Sequence, residues 1–257
     1  MTARQWQAFS QFRTEFKDKC DQWLCQFSKE LVPLQKKAAV ADTPEYSVET
    51  PIVYNIALDE VTESDEIRLI VIGDNPGKTE QLSCNRRYLV GQSGKIAQGF
   101  FSANKSLGID FRKNTIILNK TPVHTAKTSH LKYLQRQGSL SVVKLIEESQ
   151  IWMARKTAQL HQGLACENSC LLWLVGYGEL KEKGVFKLYR DALFESYRNS
   201  SDAFWQQVFV FQHFSMNRFL IDLKNHMEDC KKNTTSCCVE EALKDLGATH
   251  RKTIFGV

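Results

Sequence analysis

Short apolar runs separated by polar segments dominate the middle of the chain. Four of these runs are nearly continuous in Val, Ile, Leu and Phe, and they occupy residues 67–72, 114–119, 170–175 and 207–212. Runs of this length without polar alternation are typical of strands that are buried on both faces of a parallel sheet. The pattern therefore predicts four strands in a central, mainly parallel sheet.

The segments between and after these runs carry apolar residues at intervals of three and four, as amphipathic helices do. Helices are predicted at residues 92–107, 140–164, 182–197, 218–229 and 239–246. Alternation of strands and helices is typical of α/β proteins with helices on both faces of the sheet. The predicted fold class is α/β, as a three-layer α/β/α sandwich around a four-stranded sheet.

The N-terminal segment, residues 6–37, has aromatic residues at helical intervals with charges between them. It therefore predicts one or two amphipathic helices whose aromatic side chains belong to the core. Pro33, Pro44 and Pro51 are expected to break regular structure after these helices, and residues 46–58 are expected to be extended.

Length and composition are those of an ordinary globular protein. With 257 residues, of which 42% are hydrophobic, the chain can bury a substantial core. We expect one domain over residues 1–257, with an N-terminal helical extension (1–50) and a C-terminal tail (230–257). No apolar run approaches the roughly 20 residues of a membrane span, and the first residues lack a signal-peptide core. An intracellular monomer without a membrane partner is expected.

Charge and cysteine content narrow the choice of partner and cofactor. The 34 Lys and Arg residues nearly balance the 29 Asp and Glu residues, so the net charge of +5 permits an anionic partner without requiring one. The eight cysteines are expected to be free thiols, and no metal or iron–sulfur cluster is predicted. Their spacings differ from the C-x-x-C pattern of zinc or redox sites: Cys20 with Cys25, Cys166 with Cys170, and the adjacent Cys237 and Cys238.

Polar and flexible residues follow each predicted strand. The first strand leads into "GDNPG" (residues 73–77), the second ends at Asn119, the third leads into "GYG" (176–178), and the fourth is followed by His213. The carboxyl ends of parallel strands share one edge of the sheet, where ligands of such folds bind. These residues are therefore predicted to form one site.

The stretch after the first strand also suggests a phosphate-binding P-loop, because it continues as Gly77-Lys78-Thr79. A P-loop needs four residues between its two glycines, whereas only three separate Gly73 from Gly77. Pro76 in addition lacks the N–H that would face a phosphate. The P-loop interpretation is therefore disfavoured.

At these strand ends the chain resembles the uracil-DNA glycosylase superfamily. Its members place a G-x-N-P-G-like, G-Q-D-P-Y-like or G-E-A-P-G-like loop after the first strand, an Asn at the end of a later strand and an H-P-S-like loop after the last. "GDNPG" is most similar to the form found in the mismatch-specific enzymes and in the single-strand-selective monofunctional uracil glycosylases, and "PIVYNIALDEV" upstream is similar to a stretch of the latter group. The resemblance covers about residues 51–219 and implies a DNA partner that contains uracil or a related base.

The resemblance implies that Asn119 reads the base. One amide offers an acceptor for the N3–H of uracil and a donor for its O4, a combination that cytosine does not match. The alternative role of Asn119 is a cap or turn residue at the end of a strand. The iron–sulfur branch of the superfamily has a Cys shortly after this Asn, and "NKTPVHT" has none, so neither a cluster nor any other cofactor is expected.

The resemblance also implies roles for the loop after the fourth strand. His213 would stabilise negative charge on O2 of the departing base, as an oxyanion-hole donor does, although an ordinary loop histidine is the alternative. Ser215 would hold a phosphate oxygen. Met216, Asn217 and Arg218 would contact DNA where the family inserts a wedge into the base stack. Phe214 stands where the family has Pro. Without the fixed backbone angle of a proline, the loop needs another source of rigidity.

The "GDNPG" loop would position water and approach the flipped nucleotide. Asn75 would orient the attacking water, while the backbone from Gly73 through Pro76 to Gly77 packs against the nucleotide, since glycines permit close approach. An amide cannot accept a proton as a carboxylate does, so a slow enzyme is expected. Asp74 stands at the variable position of the motif and receives no role as a base.

The residue that stacks on the base is less clearly marked. The family places a Phe near the following Gly, where this chain has Leu89, preceded by Tyr88. We expect Tyr88 to stack. Two other functions remain open: a non-catalytic nucleic-acid-binding protein that has kept the fold, and a nucleotide-binding enzyme with a degenerate P-loop.

Overall fold

A computed structural model describes residues 1–43, 46–165, 170–198, 200–233 and 238–257. Four strands form one sheet: β1 (Leu69–Gly73), β2 (Thr115–Asn119), β3 (Leu171–Val175) and β4 (Val208–Phe211). The strand order is β2-β1-β3-β4, and all three pairings are parallel. The four predicted strands are therefore confirmed, each to within two residues at either end. In the ladder between β1 and β2, Gly73 lies opposite Asn119, so both motif residues end their strands side by side.

Eight helices occupy most of the remaining described chain. Their bounds are α1 (Ala3–Ala39), α2 (Gln92–Ala103), α3 (His130–Gln137), α4 (Leu140–Ala165), α5 (Lys187–Tyr197), α6 (Asp202–Trp205), α7 (Arg218–Asn233) and α8 (Val239–Phe255). The five helices predicted after the first strand are confirmed as α2, α4, α5, α7 and α8, with α8 extending well beyond residue 246. The short helices α3 and α6 were not predicted, because neither is long enough to show a clear apolar period.

The N-terminal segment is one helix of 37 residues, α1, rather than two. A reciprocal capping box starts it, since the Thr2 side chain accepts from the backbone of Gln5 and the Gln5 side chain accepts from the backbone of Thr2. Pro33 was predicted to break the helix and instead lies inside it. The buried stripe continues past it through Gln35, whose Nε2 donates to the carbonyls of Pro51 and His124. These tertiary contacts hold the end of α1 beyond Pro33, whose missing N–H removes one backbone hydrogen bond from the helix.

The helices form two layers that enclose the sheet. In one layer α4 contacts α1, α3 and α5 and packs on β3. In the other, α8 packs on β4 and contacts α7, while α2 contacts the turn that leads into α7. The aromatic side chains of α1 belong to the same buried cluster as the strands. The predicted three-layer α/β/α architecture is confirmed.

The two terminal segments of the chain are built into this core. Gly247 of α8 lies so close to β4 that a Cβ there would overlap Phe209 and Phe211. The segment predicted as a C-terminal tail therefore contains a helix in close contact with the sheet. Between α1 and β1, the described chain forms an isolated β-bridge from Ile52 to Val123. A 3₁₀ turn follows it at Ile56–Glu60.

Among the described cysteines, Cys20, Cys25, Cys84 and Cys170 are free thiols. Pro44, Cys166 and Cys237, which entered the sequence predictions, lie outside the described residues. Among the described helices, none combines the length and the hydropathy that crossing a membrane requires.

Candidate active site

Loops that follow all four strands line a cavity at the carboxyl edge of the sheet. Its volume is about 480 Å³, within the usual range of small-molecule sites, roughly 300–1,000 Å³. Eight of the residues predicted for the site line this cavity: Asn75, Gly77, Leu89, Asn119, His213, Ser215, Met216 and Arg218. Four others do not: Gly73, Pro76, Tyr88 and Asn217.

Asn119 lies at the floor of the cavity with its side chain only 2% exposed. Its Nδ2 is buried without a hydrogen-bond partner, and within the described part of the chain Oδ1 has none either. The alternative role as a strand cap would require such a bond. A buried amide without partners costs about 1–3 kcal/mol, so the donor and the acceptor of Asn119 are both available to a ligand.

Asn75 presents its amide with a defined orientation. Nδ2 donates to Thr125 Oγ1 at 2.8 Å and lies 3.3 Å from the carbonyl oxygen of Val123. Thr125 in turn donates from Oγ1 to the carbonyl of Lys127 at 2.8 Å. Because the NH₂ group is held by these contacts, Oδ1 is the amide atom left to accept a hydrogen bond from a molecule in the cavity.

His213 is held as a neutral imidazole. The backbone N–H of Ser215 donates to Nδ1 at 3.0 Å, and Ser215 Oγ lies 2.8 Å from the same atom. Burial lowers the pKa of His213 below its ordinary value, and the nearby Lys120 and Arg218 also lower it while Asp74 opposes them. A nitrogen that accepts an N–H bond carries no proton, so the ring proton resides on Nε2. Nε2 is therefore a donor.

Packing supplies the rigidity that Pro would give this loop. Phe214, which stands where an H-P-S-like loop has Pro, is fully buried and makes edge-to-face contacts with Phe219 and Phe111 at centroid distances of 5.0 and 6.5 Å. At the tip of the loop, Met216 and Asn217 adopt left-handed backbone conformations with φ of 53° and 55°. Met216 is 69% exposed. Anchoring by Phe214 thus offsets local backbone strain that presents Met216 to solvent.

Gly73 and Pro76 of the "GDNPG" loop do not line the cavity. They support residues that do, contrary to the prediction that they contact the nucleotide. A Cβ on Gly73 would overlap Oδ1 of Asn119, so Gly73 makes room for the amide. Pro76 is buried, and its carbonyl accepts from the backbone N–H of Thr125 at 3.2 Å and lies 2.8 Å from His124 Nδ1. Gly77 lines the cavity, with open space around its missing Cβ.

The prediction that Tyr88 stacks on the base is wrong. Its ring is only 1% exposed, and its hydroxyl donates to the carbonyl of Val53 away from the cavity. Leu89 lines the cavity instead, with a left-handed backbone at φ 51°. Its carbonyl accepts from Arg112 Nη2 at 2.6 Å, and a Cβ on Gly94 would overlap the same carbonyl. Leu89 is therefore fixed as the apolar wall.

Sequence reasoning missed a buried ion pair beneath the site. Lys120, the residue after Asn119, is fully buried, and its Nζ donates to Asp74 Oδ1 at 2.6 Å and to the carbonyl of Val175 at 2.6 Å. Burial lowers the pKa of Lys120, whereas the adjacent Asp74 opposes that shift. Asp74 lines the cavity, and from the described residues its Oδ2 accepts only a long bond, from Thr128 Oγ1 at 3.4 Å. A carboxylate oxygen therefore faces the cavity beside Asn75.

The structure explains why the first residue of the "GYG" motif, Gly176, is a glycine. Its φ is +98°, and a Cβ there would overlap Oδ1 of Asp74. Both the left-handed backbone and the proximity of the carboxylate require glycine. The only signal for this network in the sequence was that Asp74 and Lys120 directly follow two apolar strands. Charged residues at such positions are usually expected to be exposed to solvent.

Glu80 is a second buried carboxylate that the sequence did not mark. Oε2 accepts from the backbone N–H of Gly77 at 3.1 Å and Oε1 from that of Leu89 at 2.7 Å. Burial raises the pKa of Glu80 to about 7. Glu80 thus ties the "GDNPG" loop to the turn that carries Leu89.

Cationic side chains surround the mouth of the cavity. Lys78, Lys127 and Arg218 all line it, and Lys127 pairs with Asp42 at 2.7 Å. Lys78 lies over the ring of Tyr46, 5.6 Å from its centroid. This rim suits an anionic ligand that extends beyond the cavity.

The degenerate P-loop interpretation does not fit this geometry. A P-loop leads directly into a helix whose N-terminal N–H groups face the phosphates. Here residues 78–88 form turns, and the next helix, α2, begins only at Gln92.

Known proteins give no independent assignment of this site. No protein-family model, no curated protein and no solved structure gives a significant match to the chain. What the cavity does is therefore inferred from its residues and their geometry.

Proposed function

We propose that the protein is a DNA glycosylase that hydrolyses the N-glycosidic bond of uracil or a related deaminated base in DNA. The observation that carries the proposal is the amide of Asn119, buried at the cavity floor without a partner among the described residues. A flipped uracil would offer O4 to Nδ2 and N3–H to Oδ1. Cytosine has an amine donor and an unprotonated N3 at those positions, so the same amide would reject it.

Departure of the base is the step in which His213 acts. As the glycosidic bond breaks, its electron pair moves onto the base, and O2 becomes strongly negative. A neutral imidazole with its proton on Nε2 donates to that oxygen without carrying a charge of its own into the cavity. Such a donor stabilises the transition state more than the bound substrate, because O2 carries little charge before the bond weakens.

Asn75 and Asp74 act on the sugar. Oδ1 of Asn75 accepts a hydrogen bond from water and directs its oxygen toward C1′, which becomes positive as the base leaves. The neighbouring carboxylate of Asp74 stabilises this positive charge, and Lys120 holds the carboxylate in place from behind. The amide of Asn75 takes up no proton, so turnover is slow, and no metal or organic cofactor enters these steps.

DNA is held at the rim of the cavity. Lys78, Lys127 and Arg218 contact backbone phosphates. The Ser215 hydroxyl can turn toward a phosphate because its own backbone N–H keeps Nδ1 of His213 satisfied. Met216, exposed at the strained tip, enters the space left by the flipped nucleotide. Leu89 packs against the face of the base in place of an aromatic ring.

The test is a panel of oligonucleotides that carry uracil, hypoxanthine, xanthine or hydroxymethyluracil, each single-stranded and paired, with cytosine as the control. Excised bases leave abasic sites, which alkali converts into strand breaks. We expect breaks with uracil and none with cytosine. DNA binding without breaks on any substrate would instead identify a non-catalytic nucleic-acid-binding protein.

A further inference from the structure

A cluster of potential metal ligands lies on the seam between α7 and α8, outside the cavity. It consists of His226 and Cys230 from α7 and Asp245 from α8, and their ligand atoms all lie within 4.8 Å of one another. His226 and Cys230 are four residues apart, so both side chains lie on the face of α7 that meets α8. None of the three lines the cavity.

Two distances in this cluster are close to the edges of a tetrahedral zinc site. His226 Nε2 lies 3.5 Å from Cys230 Sγ and 3.0 Å from Asp245 Oδ2. Zinc bonds of about 2.1 Å to nitrogen or oxygen and 2.3 Å to sulfur place tetrahedral N and S ligands about 3.6 Å apart, and N and O ligands about 3.4 Å apart. The third pair, Cys230 Sγ and the Asp245 carboxylate, lies within 4.8 Å, so side-chain rotation would complete that arrangement.

Ordinary hydrogen bonding explains the cluster incompletely. Nε2 of an imidazole carries either one proton or one lone pair, yet a sulfur and a carboxylate oxygen both approach this single nitrogen. The same seam contains a simpler His–Asp pair, in which His250 Nε2 lies 3.7 Å from Asp222 Oδ2. The cluster differs from that pair by its thiol, which is the ligand that zinc adds to a histidine and a carboxylate.

We propose that His226, Cys230 and Asp245 bind one Zn²⁺ ion that joins α7 to α8. The donor set of one imidazole, one thiolate and one carboxylate suits zinc, whereas Ca²⁺ and Mg²⁺ prefer oxygen ligands alone. Binding releases the thiol proton of Cys230 to solvent, and the fourth coordination position is open to water. The cysteine spacings gave no sign of this site because its pattern is His-x₃-Cys with a distant Asp.

The position of the site indicates a structural role. α7 begins at Arg218, directly after the loop that carries His213 and Ser215, while α8 packs on β4, the strand that precedes this loop. An ion that joins the two helices stabilises the frame on both sides of the loop. This inference does not depend on the proposed glycosylase activity.

The test uses purified full-length protein stripped of metal with a chelator and then titrated with Zn²⁺ or Co²⁺. We expect one equivalent to bind, the melting temperature to rise, and Co²⁺ to give the charge-transfer absorption of a cobalt–thiolate bond. Cys230→Ser should abolish that absorption. His226→Ala and Asp245→Asn should weaken zinc binding by about a hundred-fold or more, since even the loss of a group behind a ligand costs 10- to 100-fold.

Cys84→Ser and Asp222→Asn are matched controls, because Cys84 is an exposed free thiol elsewhere and Asp222 belongs to the neighbouring His–Asp pair. Both should keep the parent affinity. Asp245 is an exposed residue, so its Asn variant tests the site without disturbing the core, and circular dichroism of the metal-free variants checks their fold. An unchanged cobalt–thiolate spectrum in Cys230→Ser, or equal zinc affinity of the parent and Asp245→Asn, would overturn the proposal.

Discussion

At the residue scale, the candidate site depends on a few side chains whose polar atoms are held in one orientation. Thr125 fixes the amide of Asn75, the Ser215 N–H fixes the tautomer of His213, and Gly73 makes room for the amide of Asn119. Preorganisation of this kind means that substitutions should affect chemistry more than folding. Two predictions follow from His213 and Asn119.

Replacing His213 by Ala should lower single-turnover cleavage of uracil-containing DNA by about a hundred-fold, the scale of losing one oxyanion-hole donor. DNA affinity and melting temperature should change little, because among the described residues the side chain is hydrogen-bonded only to the nearby Ser215. The three quantities should be measured on the same variant. Cleavage at the parent rate in a normally folded variant would remove His213 from the mechanism.

Replacing Asn119 by Asp exchanges a donor for an acceptor at the position that faces O4. Uracil release should fall by about a hundred-fold, because the hydrogen bond is lost and two buried acceptors face each other, at a cost of roughly 1–3 kcal/mol or more. Cytosine, whose amine now finds an acceptor, should become a weak substrate. Parallel assays on uracil and cytosine oligonucleotides check both changes, and unaltered uracil activity would exclude Asn119 as the base reader.

At the element scale, the loops of the site are held by contacts with neighbouring loops and helices. Glu80 ties the "GDNPG" loop to the Leu89 turn, and the start of α2 packs directly beneath that turn at Gly94. The loop after β4 is anchored by the aromatic cluster around Phe214. The position of Leu89 therefore depends on α2 and on a buried carboxylate as much as on its own sequence.

The two glycines of α2 offer a matched test. Gly94→Ala should displace the Leu89 carbonyl, which its Cβ would overlap, and cost about 1–3 kcal/mol. Gly99, by contrast, has open space around it, so Gly99→Ala should stabilise α2 by about 0.5–1 kcal/mol. Thermal melts should therefore shift in opposite directions, and cleavage should fall in Gly94→Ala alone. A Gly94→Ala protein as stable as Gly99→Ala would contradict this packing.

Glu80 should give the protein a distinct dependence of stability on pH. Its pKa is raised by burial from 4.5 to about 7, so between these values the folded state keeps a proton that the unfolded state releases. Stability is therefore lost as pH rises from about 4.5 to about 7, by an amount on the order of 3 kcal/mol. Below that window Glu80 is protonated in both states and contributes no pH dependence.

Glu80→Gln isolates this effect, because Gln does not ionise. The variant loses one backbone acceptor, which offsets its melting temperature equally at every pH. The parent should lose stability between pH 4.5 and pH 8 and the variant should not. The difference between the melting temperatures of variant and parent should therefore rise by about 10 °C over this range, since 1 kcal/mol of stability corresponds to roughly 2–4 °C. A difference that stays constant across this range would show that Glu80 titrates alike in both states.

At the scale of the whole molecule, the parallel sheet brings four separate loops to one edge, and cationic residues surround the cavity there. The net charge of +5 is small, so any attraction of DNA depends on where the charges lie. Because these charges lie around the cavity, replacing one of them tests the proposed DNA binding through its dependence on salt.

DNA affinity should fall steeply as salt rises, because each neutralised phosphate releases condensed counterions. Lys78→Gln should reduce the slope of log affinity against log salt by about 0.7–0.9, the contribution of one phosphate contact. Lys244→Gln, on α8 and paired there with Glu240, should leave the slope unchanged. A slope near zero for the parent protein would favour a small-molecule ligand over DNA.

The sequence by itself determined the strands, most of the helices and the α/β class. The spacing of apolar residues along a strand or helix depends on which of its faces is buried, so this spacing can be recognised in the sequence alone. It also placed Asn75, Asn119 and His213 at strand ends, and parallel pairing then brings those ends together. The uninterrupted α1 was decided by tertiary packing, since contacts of Gln35 with distant carbonyls hold the helix beyond Pro33. Only the tertiary structure chose Leu89 over Tyr88, because Arg112 holds the carbonyl of Leu89 and the hydroxyl of Tyr88 bonds to Val53, and both partners are distant in sequence. The buried pair of Asp74 and Lys120 could not be predicted from the sequence either. A charged residue is expected to be exposed unless a partner of opposite charge is buried with it, and the sequence does not show which residues meet in the core.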